Sequence, residues 1–113
     1  MMSRQVTAFV EPEALDAVIS TLIDEVLPVY CKTPHFLGFT VVKSDKGPRT
    51  EVVATSYWDD GLEQTAELSD QFVARIRSIR GASASRRSFE ILYATVRDVT
   101  GGFPAEVGPQ GAE

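Results

Sequence analysis

Cysteine and histidine are almost missing from this chain, with one of each. One cysteine cannot build a disulfide framework, and a single Cys with a single His cannot complete a tetrahedral zinc site. No apolar run approaches the roughly 18 residues that a membrane-spanning helix needs. The opening Met1-Met2-Ser3-Arg4-Gln5 lacks the apolar core of a signal peptide, so a cytoplasmic protein is expected. There is no excess of positive charge either. A net charge of −5 argues against nucleic acid and anionic membranes as partners. Gly-rich phosphate loops, a GxSxG elbow, a helical HExxH pair and calcium-loop acid spacing are all absent. What is present is ordinary: 113 residues, 43% hydrophobic and 24% charged, enough for one soluble globular domain with a real core.

Periodicity divides the chain into six elements. Ser3 to Val10 is β-rich, with Val6, Ala8 and Val10 on one side and Gln5, Thr7 and Phe9 on the other. Glu11-Pro12-Glu13 suits a first helical turn, and Leu15, Val18, Ile19, Leu22, Ile23 and Val26 then form one buried helical stripe. Pro28 is expected to end or kink that helix near Leu27. Phe36–Ser44 and Arg49–Trp58 read as an antiparallel hairpin, with Gly47 taking positive φ in the turn. Asp59-Asp60 offers a cap for a second amphipathic helix (Leu62, Ala66, Leu68, Phe72, Val73, Ile76, Ile79), which Gly81 should stop. The loop Gly81–Ser85 then leads to a fourth strand, Arg86 to Val96. The domain is placed at residues 1–99, and the Gly/Pro-rich residues 100–113 form a tail.

The order βαββαβ, folded with right-handed crossovers, gives a ferredoxin-like α+β domain: a four-stranded antiparallel sheet with both helices on one face. All four strands carry apolar residues on both sides. The outer face therefore calls for a cover, and a second copy joined by a two-fold axis is the simplest one. A homodimer packed sheet on sheet is expected.

Phe36-Leu37-Gly38-Phe39 opening the second strand, Tyr57-Trp58-Asp59-Asp60 closing the third, and the amphipathic helix that follows resemble the dimeric α+β barrel superfamily, specifically its antibiotic-biosynthesis-monooxygenase-like branch. The resemblance runs from Ser3 to Val96. It implies a ligand cleft between the helices and the inner sheet face, with Trp58 on its wall. It also implies one of two chemistries: cofactor-independent oxygenation of polyketide-derived aromatics, or haem degradation. Oxygenases of this kind set an asparagine beside the tryptophan, and this chain has no asparagine anywhere. Haem-degrading members carry their iron ligand, a histidine, on the second helix. None lies between Leu62 and Arg80 here, and the first-strand asparagine of that branch is missing too. Trp58 is the one residue the resemblance carries over.

Trp58 and His35 are thus the candidate catalytic residues, and Trp58, Phe39, Phe72 and Tyr93 the candidate ligand-binding set. Trp58 would offer an aromatic wall with one N–H donor, or else fill core space against Phe72. His35 could act as a general base near neutral pH, although the sequence around it shows no carboxylate partner. Cys31, at a helix C-terminus, reads as a buried packing residue. Tyr57 must point away from Trp58, toward the dimer partner. Arg75, Arg77, Arg80, Arg86 and Arg87 read as a solvated helix end matched to the dipole, not as an anion site. Three functions follow. The first is a cofactor-free, oxygenase-like binder of a flat apolar aromatic, expected if the cleft is open to about 300 Å³ beside Trp58. The second is a non-catalytic dimer whose cleft is filled by Phe72, Ile76, Leu22 and their neighbours. The third is haem binding through His35, a tyrosine or Cys31. No metal is expected.

Overall fold

The computed structural model describes residues 1–95; Val96 and the expected tail lie outside them. Four strands, β1 (Met2–Val10), β2 (Phe36–Lys46), β3 (Arg49–Trp58) and β4 (Ala82–Glu90), form one antiparallel sheet in the order β2-β3-β1-β4. Helix α1 follows a 3-10 turn at Pro12–Ala14 and runs in three parts: Leu15–Ser20, a π-helical stretch Thr21–Val26, and Leu27–Cys31. Helix α2 is Glu63–Arg77. The ferredoxin-like expectation holds. Strand alternation sends Val6, Ala8 and Val10 of β1 and Val52, Ala54 and Trp58 of β3 to one face, where they meet Val18, Leu22, Val26 and Tyr30 of α1 and Val73 and Ile76 of α2. Among the described residues no helix is long and apolar enough to cross a membrane.

Four expectations need correction. Pro28 does not end α1. The Leu27 N–H reaches back to the Leu22 carbonyl, an i→i−5 bond, and this wider turn takes up the disturbance that a proline ring imposes on the turn before it. Asp59 and Asp60 do not cap α2; its N-cap is Leu62, with no side-chain cap, because the helix starts at Glu63, beyond the reach of either aspartate, and the Asp59 carboxylate pairs with His35 instead. Gly81 does not stop α2, which closes at Ser78. Its φ of +89° instead turns the chain into β4, with its carbonyl accepting the Glu11 N–H at 2.8 Å. The fourth strand is Ala82–Glu90, not Arg86–Val96. The supposed loop Gly81–Ser85 is mostly strand, since the small Ala82 and Ala84 fit under α2 opposite Val10 and Ala8. Glu90 ends it because its partner, Met2, begins β1. The hairpin turn is as expected, with Lys46 paired to Arg49 and Gly47 at φ +68°.

Candidate functional site

Two strands, β2 and β3, and helix α2 converge on Tyr30, the last large residue of the α1 stripe, four residues beyond Val26. Its ring lies 5.1 Å from Trp58, 5.3 Å from Phe72, 5.8 Å from Phe39 and 5.9 Å from Phe36, centroid to centroid. Phe36 and Trp58 are themselves 5.3 Å apart. Trp58, Phe39 and Phe72 of the expected ligand-binding set are therefore together, but around a tyrosine and not around a cavity. Trp58 has no exposed surface at all, and Tyr30 keeps 2%.

Tyr93 does not join them. It lies beyond the end of β4 and is 84% exposed, so it is removed from the ligand-binding set. Cys31 is exposed, not buried, since α1 reaches solvent one residue after Tyr30. Tyr57 points away from Trp58, as alternation requires.

Buried polar groups thread this aromatic cluster, each with a partner. The Ser69 hydroxyl donates to the Thr65 carbonyl at 3.1 Å, so Tyr30 donates to Ser69 Oγ at 2.9 Å. Trp58 Nε1 donates to Ser56 Oγ at 2.8 Å, and Ser56 donates to the Arg4 carbonyl at 3.3 Å. Burial raises the Tyr30 pKa above its ordinary value, against the opposing pull of its Ser69 bond.

Arg4 was missing from the sequence reading. It is 4% exposed, beneath the first turn of α2, and donates from Nε to Thr65 Oγ1 (2.8 Å), from Nη1 to Ser88 Oγ (2.9 Å) and from Nη2 to the Leu62 carbonyl (3.0 Å). All three acceptors are neutral. Burial first, and then the charge of Arg86, lower its pKa. Its position was legible, because Arg4 falls on the same side of the alternation as Val6, Ala8 and Val10.

His35 does have a carboxylate partner, contrary to expectation. Its Nδ1 lies 2.7 Å from Asp59 Oδ1, at an open rim between the end of α1 and the end of β3. The arginines are dispersed. Arg75 pairs with Glu25 and Arg86 with Asp70, Arg77 Nε donates to the Ala84 carbonyl, and Arg87 stacks on Phe89 on the outer sheet face.

Two hollows stand out among the described residues. One, about 590 Å³, is lined by Glu11, Glu13, Arg80 and Gly81. The other, about 240 Å³, is lined by Thr33, Pro34, Leu62, Gln64 and Thr65. Neither touches Trp58.

With a sheet, two helices and an aromatic-lined interior in place, comparison with solved structures decides the fold. A proposed antibiotic biosynthesis monooxygenase from Deinococcus radiodurans superposes with a TM-score of 0.64 at 13% identity, covering 89% of this chain and all of its own. The chain has the ferredoxin-like fold of the antibiotic-biosynthesis-monooxygenase-like proteins. A dimeric ferredoxin-like protein from an uncultured marine organism matches at 0.54 and 18% identity, over 83% of this chain and 98% of its own. A de novo designed protein, Foldit4, matches at 0.63 and 15% identity over 80% and 97%. No family model and no curated protein matches the chain. A designed chain fits this fold about as well as the Deinococcus protein does, so the likeness speaks for architecture alone.

Proposed function

We propose that this protein is a homodimer of the oxygenase fold whose helix–sheet cleft serves as core and not as a substrate chamber. One observation supports this above the rest: Trp58 is fully buried, and the Tyr30 ring packs against it edge-to-face, 5.1 Å between centroids. Edge-to-face ring contacts contribute about 0.5–1.5 kcal/mol each beyond burial. A flat ligand entering here would have to break those of Tyr30 and also strip its hydroxyl from Ser69. The outer sheet face, where Phe9, Val42 and Phe89 stay exposed, supports association with a second copy.

Trp58 is the single tryptophan, so its fluorescence reports on the cleft. Titration with anthrone is expected to give no saturable quenching, and an oxygen electrode no uptake above buffer. Saturable quenching with oxygen uptake would overturn the proposal.

Arg4 favours a second reading. Buried charges are ordinarily paired, and this guanidinium has no carboxylate hydrogen-bonded to it among the described residues. A phenolate or enolate, the species from which cofactor-free oxygen chemistry starts, is its electrostatic complement. On this reading Arg4→Met abolishes oxygen uptake while the fold persists. Haem binding through His35, a tyrosine or Cys31 is the third reading, and a titration without a shifted Soret band removes it.

A further inference from the structure

Two guanidinium groups converge on a single neutral oxygen at the β4 edge of the sheet. Arg4 Nη1 donates to Ser88 Oγ at 2.9 Å, and Arg86 Nη1 donates to the same atom at 2.7 Å. Strand register builds this meeting. Arg4 of β1 stands directly opposite Ser88 of β4, and Arg86 lies two residues before Ser88, on the same side of the sheet. Both arginines are also held from elsewhere. Thr65 Oγ1 and the Leu62 carbonyl fix Arg4 Nε and Nη2, and Asp70 Oδ1 fixes Arg86 Nε at 2.7 Å.

The charges around Ser88 do not balance. Asp70 is the one carboxylate within ion-pair distance of either guanidinium among the described residues, so two positive charges meet one negative charge. The repulsion is felt, since the charge of Arg86 adds to burial in lowering the Arg4 pKa. Ser88 meanwhile presents a free donor. It lies on the side of the sheet that α2 covers, yet it is exposed, while Arg4 beside it keeps only 4% of its surface. The two accepted hydrogen bonds occupy the lone pairs of Ser88 and leave its O–H, which has no protein acceptor among the described residues. Arg86 Nη2 has none either. An exposed hydroxyl donor backed by two guanidiniums is the complement of an anion.

We propose that Arg86, Ser88 and Arg4 form a binding site for a free or esterified phosphate group. The Ser88 hydroxyl and Arg86 donate to the phosphate oxygens, and buried Arg4 supplies charge from beneath. A phosphate suits the place because it carries more than a single negative charge and several acceptor oxygens that are not coplanar, as the hydroxyl and guanidinium donors require. The inference goes beyond both readings of the aromatic cleft, because β4 is the opposite edge of the sheet from Phe36 and Phe39 of β2. Ser88 is reached without disturbing Tyr30 or Trp58.

Isothermal titration calorimetry at constant ionic strength tests the site, with inorganic phosphate in one arm and methyl phosphate in the other. Saturable binding is expected. Tighter binding of methyl phosphate assigns the site to an ester, and equal or tighter binding of inorganic phosphate to the free ion. Arg86→Gln and Ser88→Ala should each weaken binding roughly tenfold or more, the worth of one charge-assisted hydrogen bond. Arg87→Gln, on the other face of the same strand, should leave it unchanged. Ser88→Asp sets a carboxylate between the two guanidiniums. Its thermal midpoint should exceed that of the wild type in phosphate-free buffer, and added phosphate should raise it no further. No saturable heat beyond that of chloride, equal losses in Arg86→Gln and Arg87→Gln, or a phosphate response in Ser88→Asp equal to that of the wild type would each overturn the proposal.

Discussion

Arg4 shows how much one residue can hide from a linear reading. Alternation along β1 places it with Val6, Ala8 and Val10 on the buried face, yet its acceptors Thr65, Leu62 and Ser88 stand 61, 58 and 84 residues away. What neutralises it is therefore a tertiary fact. The same holds for His35, a visible candidate in the sequence whose partner lies 24 residues on. Arg4 also yields a contrast. Arg4→Met removes a buried charge and orphans nothing, because Leu62 O keeps the Thr65 hydroxyl at 2.7 Å and Ser88 is exposed. Its expected effect in urea denaturation lies between neutral and about 2 kcal/mol stabilising. Arg4→Ala also deletes the packing stem and should cost about 2–3 kcal/mol.

The elements were legible where hydrophobic period governed them and illegible where fit did. The α1 stripe, the hairpin and β3 follow from spacing alone. β4 does not, since Ala82, Ser83, Ala84 and Ser85 have weak strand preference and are chosen for the room α2 leaves them. Helix α2 likewise begins at Glu63, after an extended Leu62, while Asp59 pairs with His35, a partner that local capping rules cannot anticipate. The two positive-φ glycines divide on the same ground. An added Cβ at Gly47 meets nothing within 4 Å, whereas at Gly81 it would lie 3.2 Å from Glu11 Cβ and 3.4 Å from Ala14 Cβ. Gly47→Ala should cost about 1 kcal/mol from backbone conformation alone. Gly81→Ala should cost more, about 2 kcal/mol or above, because crowding adds to the same strain. Thermal denaturation of the two variants side by side checks the order.

At the scale of the whole molecule, the sheet keeps one face for the core and leaves the other open. Across the open face run Val42, Val53, Thr7 and Ser85 in one row and Thr40, Thr55, Gln5 and Arg87 in the next, so its apolar side chains, Phe9, Val42, Val53 and Phe89, are set among polar ones, and β4 is less apolar on this side than its sequence was expected to make it. Val42, 56% exposed on an outer strand, is the most open apolar side chain of this face. Light scattering should give twice 12.4 kDa for the wild type and 12.4 kDa for Val42→Lys, with unchanged thermal stability of the protomer. A wild type that runs at the single mass would refute the dimer.

The π-helical stretch of α1 has a last consequence. Each residue of a helix advances its direction by about 100°. Val18, Leu22, Val26 and Tyr30 stand four apart and are all buried, although twelve residues of regular α-helix would carry Tyr30 about 120° off the face of Val18. The wider π turn absorbs that excess, and a chain one residue shorter among Ile23, Asp24 and Glu25 would close to ordinary α-helix with the tyrosine still against Trp58. The filled interior thus tolerates the loss of one residue in the middle of this helix.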